Sequence, residues 1–215
     1  MEVVAMRKST RYLTLGAIAL CLVGGGWFGY QQLFTKGLDR LSEKVCDDAV
    51  ARETAVRALP DSRSAEQSAK RSGSGTIFTF TCRVVTSSDS FLSGEVKIQD
   101  TSERTWADFY GSHAGTALLR SSADGVEALA QLDNHHGTAS VYVPCVPHGV
   151  KADAASESYA HVTEARPIGD TRSTGTSLRQ AVTDFAYQLT KHACELGDCQ
   201  TPRAFPAELP RYKAH

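Results

Sequence analysis

The sequence predicts an α+β fold: an N-terminal transmembrane helix, then an antiparallel sheet packed by two long helices and tied by disulfides. Three observations carry that prediction. Nineteen uncharged residues run from Tyr12 to Tyr30 near the start of the 215-residue chain. Apolar residues at helical spacing occupy two segments of the remaining chain, one near each end, at 37–59 and 178–196. Between them lie short β-rich runs separated by turn residues, without the alternating rhythm of a βαβ sheet.

At 1.5 Å per residue the Tyr12–Tyr30 helix would span roughly 28 Å, close to the hydrocarbon thickness of a bilayer. Arg7, Lys8 and Arg11 precede it and outweigh Glu2, so the first eleven residues carry +2 within a chain whose net charge is −1. The positive-inside rule then makes 1–11 a cytoplasmic stub and 12–31 an anchor. It leaves 32–200 as an extracytoplasmic domain, and 201–215 form an irregular tail punctuated by Pro202, Pro206 and Pro210. Three other readings compete, one of them a buried core helix at the terminus. A cleaved signal peptide needs a shorter apolar run and small residues at the cut, which Val23-Gly24-Gly25 would supply. A lipoprotein needs a small residue before its acylated cysteine, and Leu20 precedes Cys21.

Composition sets the outer bounds. Hydrophobic residues at 41% and charged residues at 22% support a packed core and exclude wholesale disorder. A nearly neutral domain gives no electrostatic footprint for nucleic acid.

Beyond the anchor, Leu38, Leu41, Val45, Ala49, Val56 and Leu59 predict an amphipathic helix over 37–59, ended by Pro60. The polar, Gly/Ser-rich stretch 60–75 reads as an exposed loop. Strands are predicted at 77–85 and 92–99 around a Ser87–Ser90 turn, then at 126–132, 138–144 and 158–166. Asp100 or Thr101 caps a short helix with Trp106, Phe109 and Tyr110 on one face, closed by Gly111. Leu178, Val182, Phe185, Leu189 and Leu196 stripe a C-terminal helix with Thr176 or Ser177 as its cap and Gly197 as its stop.

Five cysteines lie beyond the anchor: Cys46, Cys82, Cys145, Cys194 and Cys199. None has the CxxC spacing of a zinc or redox motif, and outside the cytoplasm such residues pair. Cys46 falls on the core-facing side of the first helix and Cys82 mid-strand, which favours a Cys46–Cys82 bridge. Cys145 ends a hairpin strand and is expected to join Cys199, just past the Gly197 stop. A local Cys194–Cys199 bridge is the rival, and one thiol is left over in either case.

A helix Cys46, a strand Cys82 within Phe-Thr-Cys-Arg-Val, a strand end at Val143-Pro144-Cys145 and a C-terminal helix closing on Leu196-Gly197-Asp198-Cys199 together resemble a known group. These are the single-pass or lipid-anchored extracytoplasmic proteins of actinomycetes, whose function is unassigned. The resemblance implies an anchored domain outside the cytoplasm, and it carries over no catalytic or binding residue.

Templates for chemistry find no match. There is no G-x-S-x-G elbow, S-x-x-K pair or Walker loop. Adjacent His135 and His136 do not face one ion from a strand, and at a hairpin tip with Asp133 an ordinary polar turn is commoner than a surface metal site. His113, His148 and His161 are scattered and expected to be exposed or locally hydrogen-bonded. Asp47 and Asp48 read as a solvated surface pair. Trp106, Phe109 and Tyr110 are the one candidate ligand groove, although core packing is the commoner use of such spacing.

The expectation is a non-enzymatic, membrane-anchored module that uses no metal or cofactor. It would bind a membrane or envelope protein, a peptide or another envelope component, and no nucleic acid. The alternatives are a cell-envelope hydrolase and a structural subunit of a membrane complex. After carbonate extraction, the full-length chain is expected in the membrane pellet, its C-terminus open to protease added from outside. A soluble chain beginning near Gly26 would instead identify a secreted domain.

Overall fold

The structure is a computed structural model that describes Tyr30 and residues 36–111, 117–132, 137–150, 159–197, 199–200 and 204–213. The anchor therefore lies outside the described residues, Tyr30 excepted, as do His113, Asp133, His135 and His136. No helix among the described residues is long and apolar enough to cross a membrane.

After a 3₁₀ turn at Leu38–Arg40 comes a small hairpin, β1 (Lys44–Val45) and β2 (Val50–Ala51), then helix α1 (Arg52–Ala58). Strands β3 (Ala65–Ser72), β4 (Thr79–Thr86) and β5 (Phe91–Asp100) form a meander. Helix α2 (Glu103–Gly111) leads to a second meander of β6 (Ala117–Ala123), β7 (Val126–Leu132), β8 (Gly137–Pro144) and β9 (Tyr159–Ile168). Helix α3 (Gly175–Leu196) closes the fold. The two meanders join where β9 pairs with β5, giving one seven-stranded antiparallel sheet in the order β3-β4-β5-β9-β8-β7-β6.

Period-two alternation sorts this sheet into two faces. Phe80, Cys82 and Val84 on β4 stand opposite Val96, Gly94 and Leu92 on β5. Gly94 and Val96 in turn meet Ala165 and Thr163 on β9, which meet Ala139 and Val141 on β8. All of these are buried. Helix α3 lies across this face, and small residues let it come close. A Cβ at Gly94 would stand 2.3 Å from Leu189 Cδ1 and 2.8 Å from Phe185 Cε1.

The far side of α3 is covered as well. Helix α1 and the small hairpin pack there, with Gln188 Oε1 accepting from Ala51 N at 2.7 Å and Gln188 Nε2 donating to Thr54 Oγ1 at 2.9 Å. Residues 204–213 are irregular, yet they clasp the domain. Leu209 is buried, Tyr212 N donates to Gln180 Oε1 at 3.0 Å, and Ser121 Oγ donates to the Pro210 carbonyl at 2.9 Å.

Among the described residues there are two disulfides, Cys46–Cys82 and Cys145–Cys199, with Cα separations of 5.4 and 5.3 Å. Cys194 takes part in neither. Cys46 and Cys82 are 36 residues apart in sequence, and chain entropy puts the worth of such a link at about 4 kcal/mol.

Several expectations are corrected. The continuous helix over 37–59 is replaced by the 3₁₀ turn, the hairpin and the short α1. Cys46, Asp47 and Asp48 have φ of 60°, 55° and 63°, a left-handed run that no α-helix contains. Among the described residues only one long helix therefore packs the sheet, not two. The expected loop at 60–75 contains β3, an edge strand with six of its eight residues exposed, which is why no alternation marks it. Ser102 Oγ, not Asp100 or Thr101, caps α2 by accepting from Thr105 N at 3.2 Å. Thr174 rather than Thr176 or Ser177 stands at the start of α3. Strand β6 has no counterpart among the elements that the sequence predicts.

Gly94→Val is expected to cost about 1–3 kcal/mol by overpacking beneath α3. Its neighbour Ser93, on the opposite face, should tolerate Ala within about 0.5 kcal/mol. Urea unfolding midpoints of the two variants check the difference.

Candidate functional site

The second face of the sheet is covered only in part among the described residues, and α2 does the covering. Its capped start projects Trp106 and Tyr110 inward at i, i+4, onto Leu129, Tyr142, Ala160 and Val162, a small core separate from the one under α3. Trp106 and Tyr142 have ring centroids 5.4 Å apart, and Trp106 and Tyr110 5.9 Å. The indole Nε1–H donates to Ser140 Oγ at 2.8 Å, and that hydroxyl donates to the Thr163 carbonyl at 2.8 Å. The polar end of the indole is thus satisfied inside an apolar cluster.

Phe109 behaves differently. It stands edge-on to Tyr110 at 5.1 Å yet is 61% exposed, against 3% for Trp106 and 7% for Tyr110. Together with Gln99, Thr105 and Glu164 these three aromatics line a cavity of about 290 Å³ between α2 and the sheet. Among the described residues the charged group in its lining is Glu164, whose Oε2 accepts from the Tyr110 hydroxyl at 3.2 Å. Burial, with Glu164 adding to it, pushes the Tyr110 phenol up to about 12. The structure therefore brings Trp106, Phe109 and Tyr110 to one groove, but divides them: two build its floor and the third forms its rim.

A second cavity, of about 550 Å³, opens at the start of α3 and is lined by Arg57, Arg172 and Arg211 among others. Its cations are engaged by carboxylates. Arg57 and Arg211 share Asp184 at 2.8 and 3.5 Å, and Arg172 pairs with Asp61. These pairs fasten α1 and the C-terminal segment to α3, a structural use that accounts for the charge.

His161 departs from the sequence-based expectation of an exposed or locally hydrogen-bonded side chain. It is fully buried on the α3 face of β9, and neither ring nitrogen has a hydrogen-bond partner. Its ring stands edge-on to Phe78, with centroids 5.6 Å apart, and a Cβ at Gly197 would stand 2.6 Å from both Cε1 and Nε2. Burial lowers its pKa to about 4, so the imidazole is neutral at physiological pH. The signal is parity: His161 shares the inward phase of Thr163 and Ala165 along β9. The Cys145–Cys199 bridge is its neighbour, the two sulfurs and an imidazole nitrogen lying within 4.8 Å of one another. Asp47 and Asp48 are exposed, as expected, though in a hairpin turn and not on a helix.

The chain matches no family model, no curated protein and no solved structure.

The neutral His161 makes stability depend on pH. Its folded pKa of about 4 lies below the ordinary 6.5, so the unfolded chain takes up the proton first as the solution is acidified. The stabilisation is complete above about pH 6.5 and is lost as pH falls towards 4, by about 3 kcal/mol in all. Urea unfolding from pH 7 to 4 is expected to show this loss, and His161→Gln to remove that component of the slope.

Proposed function

We propose that the chain is a membrane-anchored extracytoplasmic binding module, and that its ligand seats in the groove beneath α2. The anchor reading rests on the uncharged run of residues 12–30 behind Arg7, Lys8 and Arg11. The observation that carries the binding reading is Phe109, a large apolar side chain left 61% exposed at the rim of a cavity whose floor is aromatic. Aromatic residues of this kind anchor partners when a rigid base holds them, and the buried Trp106–Ser140–Thr163 chain supplies that base.

The lining defines the ligand chemistry. An apolar side chain would cover Phe109, and a basic or other hydrogen-bond-donating group would meet Glu164. A segment of a membrane or envelope protein carrying both fits such a groove. Hydrolysis is favoured less. The groove pairs one carboxylate with a phenol whose pKa, about 12, is far from the range useful for proton transfer at neutral pH.

Site-specific photocrosslinking in the native membrane tests this reading. A crosslinker at position 109 is expected to capture one discrete protein, and Glu164→Ala to weaken the capture several-fold. Position 77, where Ile77 is also open at 74% exposure, should not give that product. Identical capture from both positions, or none from 109, would exclude the groove as the docking site.

A further inference from the structure

A buried imidazole with neither nitrogen hydrogen-bonded is uncommon enough to require a cause, such as a bound ion or a redox role. His161 is fully buried, both nitrogens lack partners, and the sulfurs of Cys145 and Cys199 lie beside it. We propose that Cys145, His161 and Cys199 form a redox-gated site for a thiophilic divalent cation of the zinc class, closed while the disulfide stands and opened by its reduction.

The donor set is right for such an ion. Two thiolates and one neutral imidazole are three of the four ligands of a tetrahedral zinc site, with water completing the fourth. Nitrogen and sulfur atoms within 4.8 Å of one another need only small side-chain rotations to reach one metal. The sulfurs must part from bonding distance to about 3.8 Å, as tetrahedral coordination with metal–sulfur bonds of about 2.3 Å requires. A Cα separation of 5.3 Å accommodates that through the side chains alone. Cys199 is half-buried, which gives the ion and its water a way in.

The backbone around the two cysteines is held by bonds that do not depend on the disulfide. Pro147 and Cys199 face each other in an isolated antiparallel bridge. Gln200 N donates to the Val146 carbonyl at 2.8 Å, and Gln200 Nε2 donates to the carbonyls of Pro147 and Val150 at 2.9 and 2.7 Å. Cys145 N donates to the Tyr159 carbonyl at 2.9 Å. Reduction therefore leaves both thiols facing His161 instead of releasing the strand end, so the ligands stay preorganised.

The gating step balances with a dithiol as reductant. The dithiol gives two electrons and two protons, the Cys145–Cys199 bond breaks to two thiols, and the reductant closes to its own disulfide. Cation binding then displaces those two protons to solvent. The resulting centre, two thiolates and a dipositive ion, has no net charge, which suits its burial.

The test uses the full chain in detergent, freed of metal by chelator, with cobalt(II) as probe. The oxidised chain should show no thiolate-to-cobalt charge-transfer band. After anaerobic reduction a band should appear and saturate at one equivalent, and zinc should displace it. The Cys145→Ser/Cys199→Ser double variant retains Cys21, Cys46, Cys82 and Cys194, so it subtracts any binding by those thiols. It is compared with wild type that has lost the same bridge, and it should show no saturable band. His161→Gln removes one ligand and should weaken binding by more than the 10–100-fold that loss of an outer-shell partner costs. If that variant does not fold, Cys199→Ser alone at the half-buried position should give the same loss. A reduced wild type without the band overturns the proposal. So does a band that survives the double serine variant, or unchanged affinity in His161→Gln.

Discussion

The fold depends on how closely α3 can approach the sheet. At Gly94 there is no side chain, and Phe185 and Leu189 occupy the space that one would take. Ala165 and Ala139 continue this low ground across β9 and β8, both fully buried. A helix seated this deeply brings its other sides within reach of further chain, and α1, the small hairpin and residues 204–213 all close over it. Twelve of its 22 residues are buried in consequence, among them Arg179 and Gln180. The hydrophobic stripe orients the helix, and the absence of bulk beneath it fixes its depth.

That depth has a cost on the polar side. Thr163 and Thr190 face each other inside the interface with hydroxyls 2.5 Å apart, and Thr190 donates to the Ala186 carbonyl at 2.8 Å. The Thr163 carbonyl accepts from Ser140, which accepts from Trp106. A single line of polar contacts thus runs from the groove under α2 through the sheet to α3. Each of these side-chain polar atoms is paired, so the line rigidifies both layers together. The groove consequently has a floor set by the main core, while its rim at Phe109 is left to solvent.

The sequence revealed those parts of the fold in which one side of an element meets a core and the other meets water. Strands β4 and β5 alternate, α3 carries its stripe, and both are visible as periodicity. The first helix misled for a related reason. Leu38, Leu41, Val45, Ala49, Val56 and Leu59 touch the core at helix-like intervals, yet they do so from a 3₁₀ turn and the residue after it, a hairpin, and a seven-residue helix with its C-cap. Periodicity records when a chain visits the core and not the path it takes between visits. The left-handed run at Cys46–Asp48 leaves no mark in hydropathy. Thus Cys46 meets Cys82 from a turn, although periodicity would put Cys46 on a helix. Edge strand β3 is hidden because most of its residues on both faces are exposed, and β6 because it carries polar residues such as Ser121 where a core-facing strand would show apolar ones. Of the candidate site, the aromatic spacing on α2 is legible, but the exposure of Phe109 is not, since it depends on where the helix ends relative to the sheet.

The two cysteine bridges perform different tasks, and their surroundings show why. Around Cys46 the chain has little regular structure of its own; its backbone N–H is satisfied by the Gln67 side chain at 2.8 Å and its hairpin spans only two residue pairs. Without a covalent tie that segment would depend on packing and a few hydrogen bonds, so Cys46–Cys82 contributes chiefly to stability. Around Cys145 the backbone is already cross-linked to residues 199–200 by hydrogen bonds, and the closing of α3 at Gly197 presses against His161. A disulfide adds less where the chain is held without it. The redundancy at the second bridge lets it open without loss of the fold, and the buried, unpartnered imidazole beside it gives the opened thiols something to bind with.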